Sequence, residues 1–329
     1  YEEKIFSMDH NLVAYIYQSD VDRIRKYVFD RLSSDPDYLK KVYSEAVSDF
    51  EKFKAQEEEL RRQIDSINSP EKVKKFIRDF VEFASFTTRL GFVAELFVGY
   101  EEFWPTHIGI SKEDFAVLTT PQEPSFTKEF DYEIAKLKLG LIQDTPIEFA
   151  KKYYWVRSNY NVVDLVDAKY IEERLVGMSR DEAQKLCDSV GHYHDEVLRN
   201  KEMVQGRLKL STAQLALTDA IGSFILLQDK RKEIILRTNS IFLKAANKLL
   251  DMYEVVSSER DMIISSAYPY WFSDLSYEEL LTKSKEAFTC IYFPFDGGEI
   301  QIGKKALEIY EIVSAEEASV HAGGSTEVV

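Results

Sequence analysis

Apolar residues recur every three to four positions along most of the chain, the spacing of helices that bury one face. Val21, Ile24, Val28 and Leu32 form the first such stripe, with Ser19 placed as an N-cap before an acidic first turn. Asp35-Pro36 interrupts it, after which Leu39, Val42, Tyr43, Ala46, Phe50 and Phe53 share one face of a helix that turns charge-rich over residues 51–63. Asn68-Ser69-Pro70 then opens a further helix with proline at its first position, and its apolar face runs on to Trp104. Together these segments predict a long helical hairpin arm.

Residues 104–124 hold Pro105, Pro121, Pro124 and Gly109, and read as a connector around a short element led by Ser111 and Asp114. Helical spacing resumes over 125–141, over 145–155 behind the Thr145-Pro146 cap, over 167–174, and over 179–199, where Ser179 and Glu182 stand in capping-box register. Residues 212–253 form one long periodic stretch, as one helix or two, and 273–285 predict another capped helix. Near Cys290 the period changes. Two short strands joined by Asp296-Gly297-Gly298 predict a small β-hairpin near 290–302, and the small, polar residues 314–329 read as a tail. The expected fold is mainly α, a multi-helix bundle with a hairpin arm and that β-hairpin. Its expected divisions are a helical domain over 1–288 with an internal break near 104–124, a β-hairpin and short helix over 289–313, and the tail.

Composition sharpens this picture. Only 13 Gly and eight Pro punctuate 329 residues, too few for a strand-rich fold. Lys and Arg number 42 against 57 Asp and Glu, a net charge of −15 with no basic stripe, which argues against nucleic-acid and membrane-surface partners. No apolar run approaches the roughly 18 residues of a membrane span, and Cys187 and Cys290 are isolated thiols without metal or redox spacing. The chain reads as cytoplasmic.

Candidate chemistry is sparse. No phosphate-binding glycine loop, nucleophile elbow or zinc-helix motif occurs, so no catalytic residue and no cofactor are expected in this chain. Asp188, His192 and Glu196 would share one face of a continuous helix, offering two carboxylates and an imidazole to a metal, although a solvated charged face explains the same pattern. Trp155, Arg157 and Tyr160 combine aromatic walls with a fixed cation, as an anionic or aromatic ligand would want; a structural joint between helices competes with that reading. Arg231, in the charged run 229–233 that interrupts an apolar helix, is the fourth candidate for substrate binding.

The order of several segments carries a resemblance. They are Ser19-Asp20 with Asp35-Pro36-Asp37-Tyr38-Leu39, Leu118-Thr119-Thr120-Pro121 leading to Ser125-Phe126 and Glu129, Tyr154-Trp155 with Asn159-Tyr160, Leu227-Gln228-Asp229-Lys230-Arg231-Lys232, Asp274 through Leu280, and Ile302-Gly303 through Ala306. In this order they resemble the helical, substrate-binding region of the phosphoenolpyruvate-utilising phosphotransferases, the group of phosphoenolpyruvate synthase and rifampin phosphotransferase-like proteins. The resemblance implies a system of three parts: an ATP-grasp domain that takes ATP and Mg, a helical domain that holds a small-molecule acceptor, and a swivelling domain whose histidine carries the phosphoryl group. This chain resembles the middle part. The carrier motif has Gly-Gly-x-Ser/Thr followed by Ser/Cys and His. Gly323-Gly324-Ser325-Thr326 echoes its start, but Glu327 and Val328 stand where the last two residues belong, and His321 lies on the wrong side of the glycines. ATP-grasp and phosphohistidine domains are therefore expected as partners, in cis or in trans. A non-catalytic helical scaffold or protein-interaction module is the alternative, and a metal-dependent hydrolase or lyase at Asp188, His192 and Glu196 a third.

Overall fold

A computed structural model of the chain describes residues 3–8, 11–16, 22–23, 25–28, 30–31, 35, 37–98, 103–159, 163–256, 288–293 and 299–302, with single positions at 260, 278–279, 282, 308 and 311. The Ser19 cap, Tyr160, most of 273–285, the Asp296-Gly297-Gly298 turn and the tail with His321 lie outside them. The fold is mainly helical. Ten helices of known bounds are described: α1 (Tyr38–Ser66), α2 (Pro70–Val98), α3 (Phe103–Ile108), α4 (Lys112–Thr119), α5 (Phe126–Leu139), α6 (Pro146–Tyr153), α7 (Ala168–Gly177), α8 (Arg180–Gly191), α9 (Tyr193–Leu208) and α10 (Thr212–Met252). No helix among the described residues is long and apolar enough to cross a membrane.

The residues group into two compact units, the first of 1–23, 62–81 and 242–329, the second of 24–61 and 82–241. The division falls within α1, α2 and α10, and the stretch 103–124 belongs wholly to the second unit. In the first unit, strands β1 (Glu3–Met8), β2 (Asn11–Ile16), β3 (Phe288–Phe293) and β4 (Glu299–Ile302) form an antiparallel sheet in the order β2-β1-β3-β4. Its helical part buries Ile64, Val73, Ile77, Ala245, Ala246 and Leu249, and Lys244 and Lys248 both reach Asp65, the carboxylate and the carbonyl, at 2.7 Å.

The second unit is built on the apolar stripes of α1 and α10. Leu39, Val42, Ala46, Phe50 and Phe53 are buried at the spacing the sequence shows, and the next position on that face is Glu57. On α10, a single helix of 41 residues, Thr218, Ile221, Phe224, Leu227, Arg231 and Ile234 follow the same three-to-four rhythm, Ile241 lies two turns further on, and all are buried. Each stripe thus carries a charged residue at a core position, where an unpaired charge is costly. Phe53 stacks on Phe83 of α2 at 5.9 Å, and Arg89 of α2 pairs with Glu45 and Asp49 of α1 at 3.0 and 2.9 Å.

The shorter helices begin where their capping signals stand. Thr145 with Glu148 and Ser179 with Glu182 close full capping boxes, Ser111, Ser125 and Asp167 cap α4, α5 and α7, and α5 ends on Gly140 in the left-handed region. Phe130, Ile134, Phe149, Tyr153, Val166 and Ile171 then pack α5, α6 and α7 around one core.

Candidate functional site

The second unit contains a cleft of about 480 Å³ between the segment 121–128, the start of α9 and the middle of α10. Pro121 and Pro124 limit the backbone of the loop that leads into α5, and side chains from elsewhere tie that loop down. The Tyr193 hydroxyl donates to the Pro121 carbonyl at 3.2 Å, Lys230 Nζ meets the Glu123 carboxylate at 2.7 Å, and the Phe126 amide donates to Asp229 Oδ2 at 2.8 Å. Ser125 accepts from the Lys128 amide at 3.4 Å. The Phe126 and Lys128 amides at the start of α5 are thereby occupied by side chains.

Three cations line the cleft, Lys128, Arg231 and Lys232, against the carboxylates of Glu123 and Asp229, with Pro121, Ile225, Leu226 and Tyr193 supplying apolar wall. Lys128 Nζ lies 5.0 Å from the Tyr193 ring centre and Lys232 Nζ 5.9 Å from that of Phe126, the range of cation–π attraction. Arg231 is only 3% exposed. Its aliphatic stem passes so close to Gly91 of α2 that a Cβ there would stand 2.6 Å from Arg231 Cδ and 2.8 Å from Cγ. Burial pushes the Asp229 carboxyl above its ordinary range, against the pull of the Phe126 amide and Lys232. Lys230 is raised instead: burial, the largest single effect, would lower it, but the Glu123 hydrogen bond and the charges of Glu123, Tyr43 and Glu233 together outweigh it.

Of the described residues expected to bind substrate, Arg231 alone lines this cleft. Trp155, 2% exposed, packs in the adjoining core on Phe126, whose ring centre is 5.1 Å away, and on Leu236. The guanidinium of Arg237 covers its ring at 4.7 Å, and its indole Nε1 finds no hydrogen-bond partner among the described residues. Tyr154 donates to Glu57, which also accepts from Arg237 at 2.7 Å. Arg237 holds Glu233 at 2.9 Å, Lys54 meets the same carboxylate at 3.1 Å, and Arg61 covers the Tyr154 ring at 4.0 Å. The aromatic density at 153–155 therefore seats a network of ions between α1 and α10. Arg157 faces away from that network, paired with Asp164 at 2.6 Å and lying over the Tyr170 ring at 4.4 Å.

The face expected to carry Asp188, His192 and Glu196 does not form, because the helix breaks. Gly191 ends α8, His192 sits at the joint with φ −99° and ψ −1°, and α9 starts at Tyr193. Asp188 accepts from Gln184 at 2.8 Å on its own helix, and no three His, Cys, Asp or Glu side chains among the described residues come together as metal ligands. The break has a positive consequence: it sends Tyr193 to Pro121 and His194 to within 3.4 Å of the Gln122 carbonyl. Lys128, Tyr193, Asp229 and Lys232 are the site residues that sequence reasoning missed. The charged run 229–233 inside an apolar helix was the one available signal for two of them.

No protein-family model, curated protein or solved structure matches the chain.

Proposed function

We propose that this chain is the acceptor-binding helical part of a phosphoenolpyruvate-utilising phosphotransferase system, holding a small molecule where a phosphohistidine on another domain can reach it. The observation that supports this reading is the cleft at 121–128, Tyr193 and 225–232, whose volume of about 480 Å³ lies in the range of small-molecule sites and whose lining mixes apolar wall with a few charged groups. Positioning and charge neutralisation account for most of phosphoryl-transfer catalysis, so a domain that supplies only those still accelerates the reaction. Nucleotide, Mg and the carrier histidine would come from partner or fused domains, as the order of motifs along the helical bundle implies.

Reconstitution tests this. The chain is combined with an ATP-grasp domain and a phosphohistidine domain of a phosphoenolpyruvate-utilising phosphotransferase, radiolabelled ATP and a pool of small metabolites. Label should reach a small molecule only when the chain is present, and Gln228→Trp, which fills the cleft, should abolish the transfer. Transfer that proceeds equally without the chain would remove it from the reaction. A second reading, a protein-interaction scaffold, draws on Leu141, Ile147 and Val176, large apolar side chains exposed in the α5–α7 region; substituting all three with Ser would then abolish partner capture while leaving small-molecule binding intact.

A further inference from the structure

We propose that the cleft selects an anion: an oxyanion group, phosphate or carboxylate, carried on a small apolar body, with Lys128, Arg231 and Lys232 around the oxyanion and Ile225, Leu226, Pro121 and Tyr193 against the body. The inference deepens the acceptor-binding reading and rests on it for what becomes of the bound molecule.

The chain as a whole carries −15, so its far field repels anions. The cleft reverses that sign locally, with three cations against two carboxylates in its lining. Both carboxylates are already engaged. Glu123 is held by Lys230, which stands outside the lining, and Asp229 accepts from the Phe126 amide. The cations come from two helices, and the two ammonium groups lie over aromatic rings. Arg231 rises from the buried stripe of α10 through a notch that exists because residue 91 has no side chain. The Phe126 and Lys128 amides at the start of α5 are taken by Asp229 and Ser125, and the charge that selects an anion comes from the side-chain cations.

Three probes of similar size decide the matter: phenyl phosphate, benzoate and phenol, titrated into the full chain by calorimetry and ligand-observed NMR. The two anions should bind with dissociation constants on the order of 1 mM, in keeping with ligands of this size, and phenol should bind at least about tenfold more weakly. Preference between phenyl phosphate and benzoate names the oxyanion. The Lys128→Ala/Lys232→Ala double variant should keep its melting temperature, since one residue is exposed and the other half-buried, and lose about tenfold in anion affinity, as expected when charge-assisted contacts go. The anion affinity should also fall with added salt. Phenol binding as tightly as the anions, or unchanged affinity in the double variant, would overturn the inference. Because these titrations use no partner domain, anion binding that stands while reconstituted transfer fails would sink the phosphotransferase reading alone.

Discussion

Two charged clusters lie side by side on α10, and their inventories are nearly the same. One gathers Lys54, Arg61 and Arg237 around Glu57 and Glu233; the other sets Lys128, Arg231 and Lys232 against Glu123 and Asp229. In the first, Glu233 and Arg237 have side chains 13% exposed, the ions touch one another, and aromatic rings from Tyr154 and Trp155 fill the remaining space. In the second, a volume of about 480 Å³ stays open beside the charges. Equal charge therefore has unequal meaning. Where the ions close on each other they fix the packing of α1 against α10, and where space is left beside them they can meet a ligand.

The comparison breaks most visibly at Glu57. It is 8% exposed and accepts from both Arg237 and Tyr154. Glu57→Ala should destabilise the protein by about 3–5 kcal/mol in urea unfolding, because breaking this buried network leaves the Tyr154 hydroxyl without its acceptor and Arg237 with Glu233 alone. Phenyl phosphate affinity should not change. A loss below about 1 kcal/mol would place the first cluster among ordinary surface ion pairs and erase the contrast.

Gly91→Ala touches the second cluster through packing alone. The new methyl would meet the stem of Arg231 inside its van der Waals radius at three atoms, and overpacking of this kind costs about 1–3 kcal/mol. Here stability and anion affinity should fall together, since Arg231 must move to make room. A stable variant with unchanged affinity would show that Arg231 adapts freely and is no fixed part of the cleft wall.

Asp229→Asn sharpens the contrast in the opposite direction. The groups facing this carboxylate are Lys230, Lys232 and Glu233 on α10 and the Phe126 amide of α5, with Lys128 and Glu123 on the cleft lining. Its folded pKa lies above the ordinary 3.8 because of burial. The folded protein therefore holds this proton more tightly than the unfolded chain does, and that stabilisation is present in full below 3.8 and lost as pH rises through the raised value. Asparagine keeps an oxygen for the Phe126 amide and carries no charge. The variant should gain stability relative to the parent as pH climbs from below 3.8 to neutrality, and at pH 7 it should bind phenyl phosphate a few-fold more tightly, one repelling charge having gone. Weaker anion binding would show that Asp229 contacts the ligand as an acceptor.

How much of this was legible in the sequence depended on how local the cause was. Helix starts were: the Thr145-Pro146 cap, the box at Ser179–Glu182 and the starts at Ser111 and Asp167 all form where the sequence puts them, and the structure adds a Glu148 partner to Thr145 and a cap at Ser125 at the same spacing of three. The buried stripe Leu39, Val42, Ala46, Phe50 and Phe53 was equally plain. The break at His192 was not, because a glycine in a periodic run marks either a tolerated residue or an end, and contacts of Tyr193 and His194 with residues 72 positions away favour the end. The cleft was still less visible. Its loop and its helix lie over 100 residues apart in sequence, joined by Phe126–Asp229 and Glu123–Lys230, and no periodicity announces such a pairing. Trp155 stood out for composition, which reports that an aromatic cluster exists but not whether its neighbours are a ligand or Arg237.

Arg157→Ala gives the smallest expected effect and separates the aromatic segment from the cleft. The Arg157–Asp164 pair is 42% and 41% exposed, where such pairs contribute about 0–1 kcal/mol, and the contact with Tyr170 adds about 0.5–1 kcal/mol at an exposed site. The loop keeps other supports. Ser158 bonds both the amide and the carbonyl of Asp164, and the Val166 amide donates to the Tyr154 carbonyl at 2.8 Å. The variant should therefore lose at most about 2 kcal/mol, more in low salt than in high, and bind phenyl phosphate as the parent does, since Arg157 is not among the residues that line the cleft. Measuring stability and affinity in the same preparation makes the outcome decisive. If affinity fell about tenfold with stability intact, the ligand would sit against Arg157 and the aromatic segment, and the cations of α10 would belong, like those around Glu57, to the architecture alone.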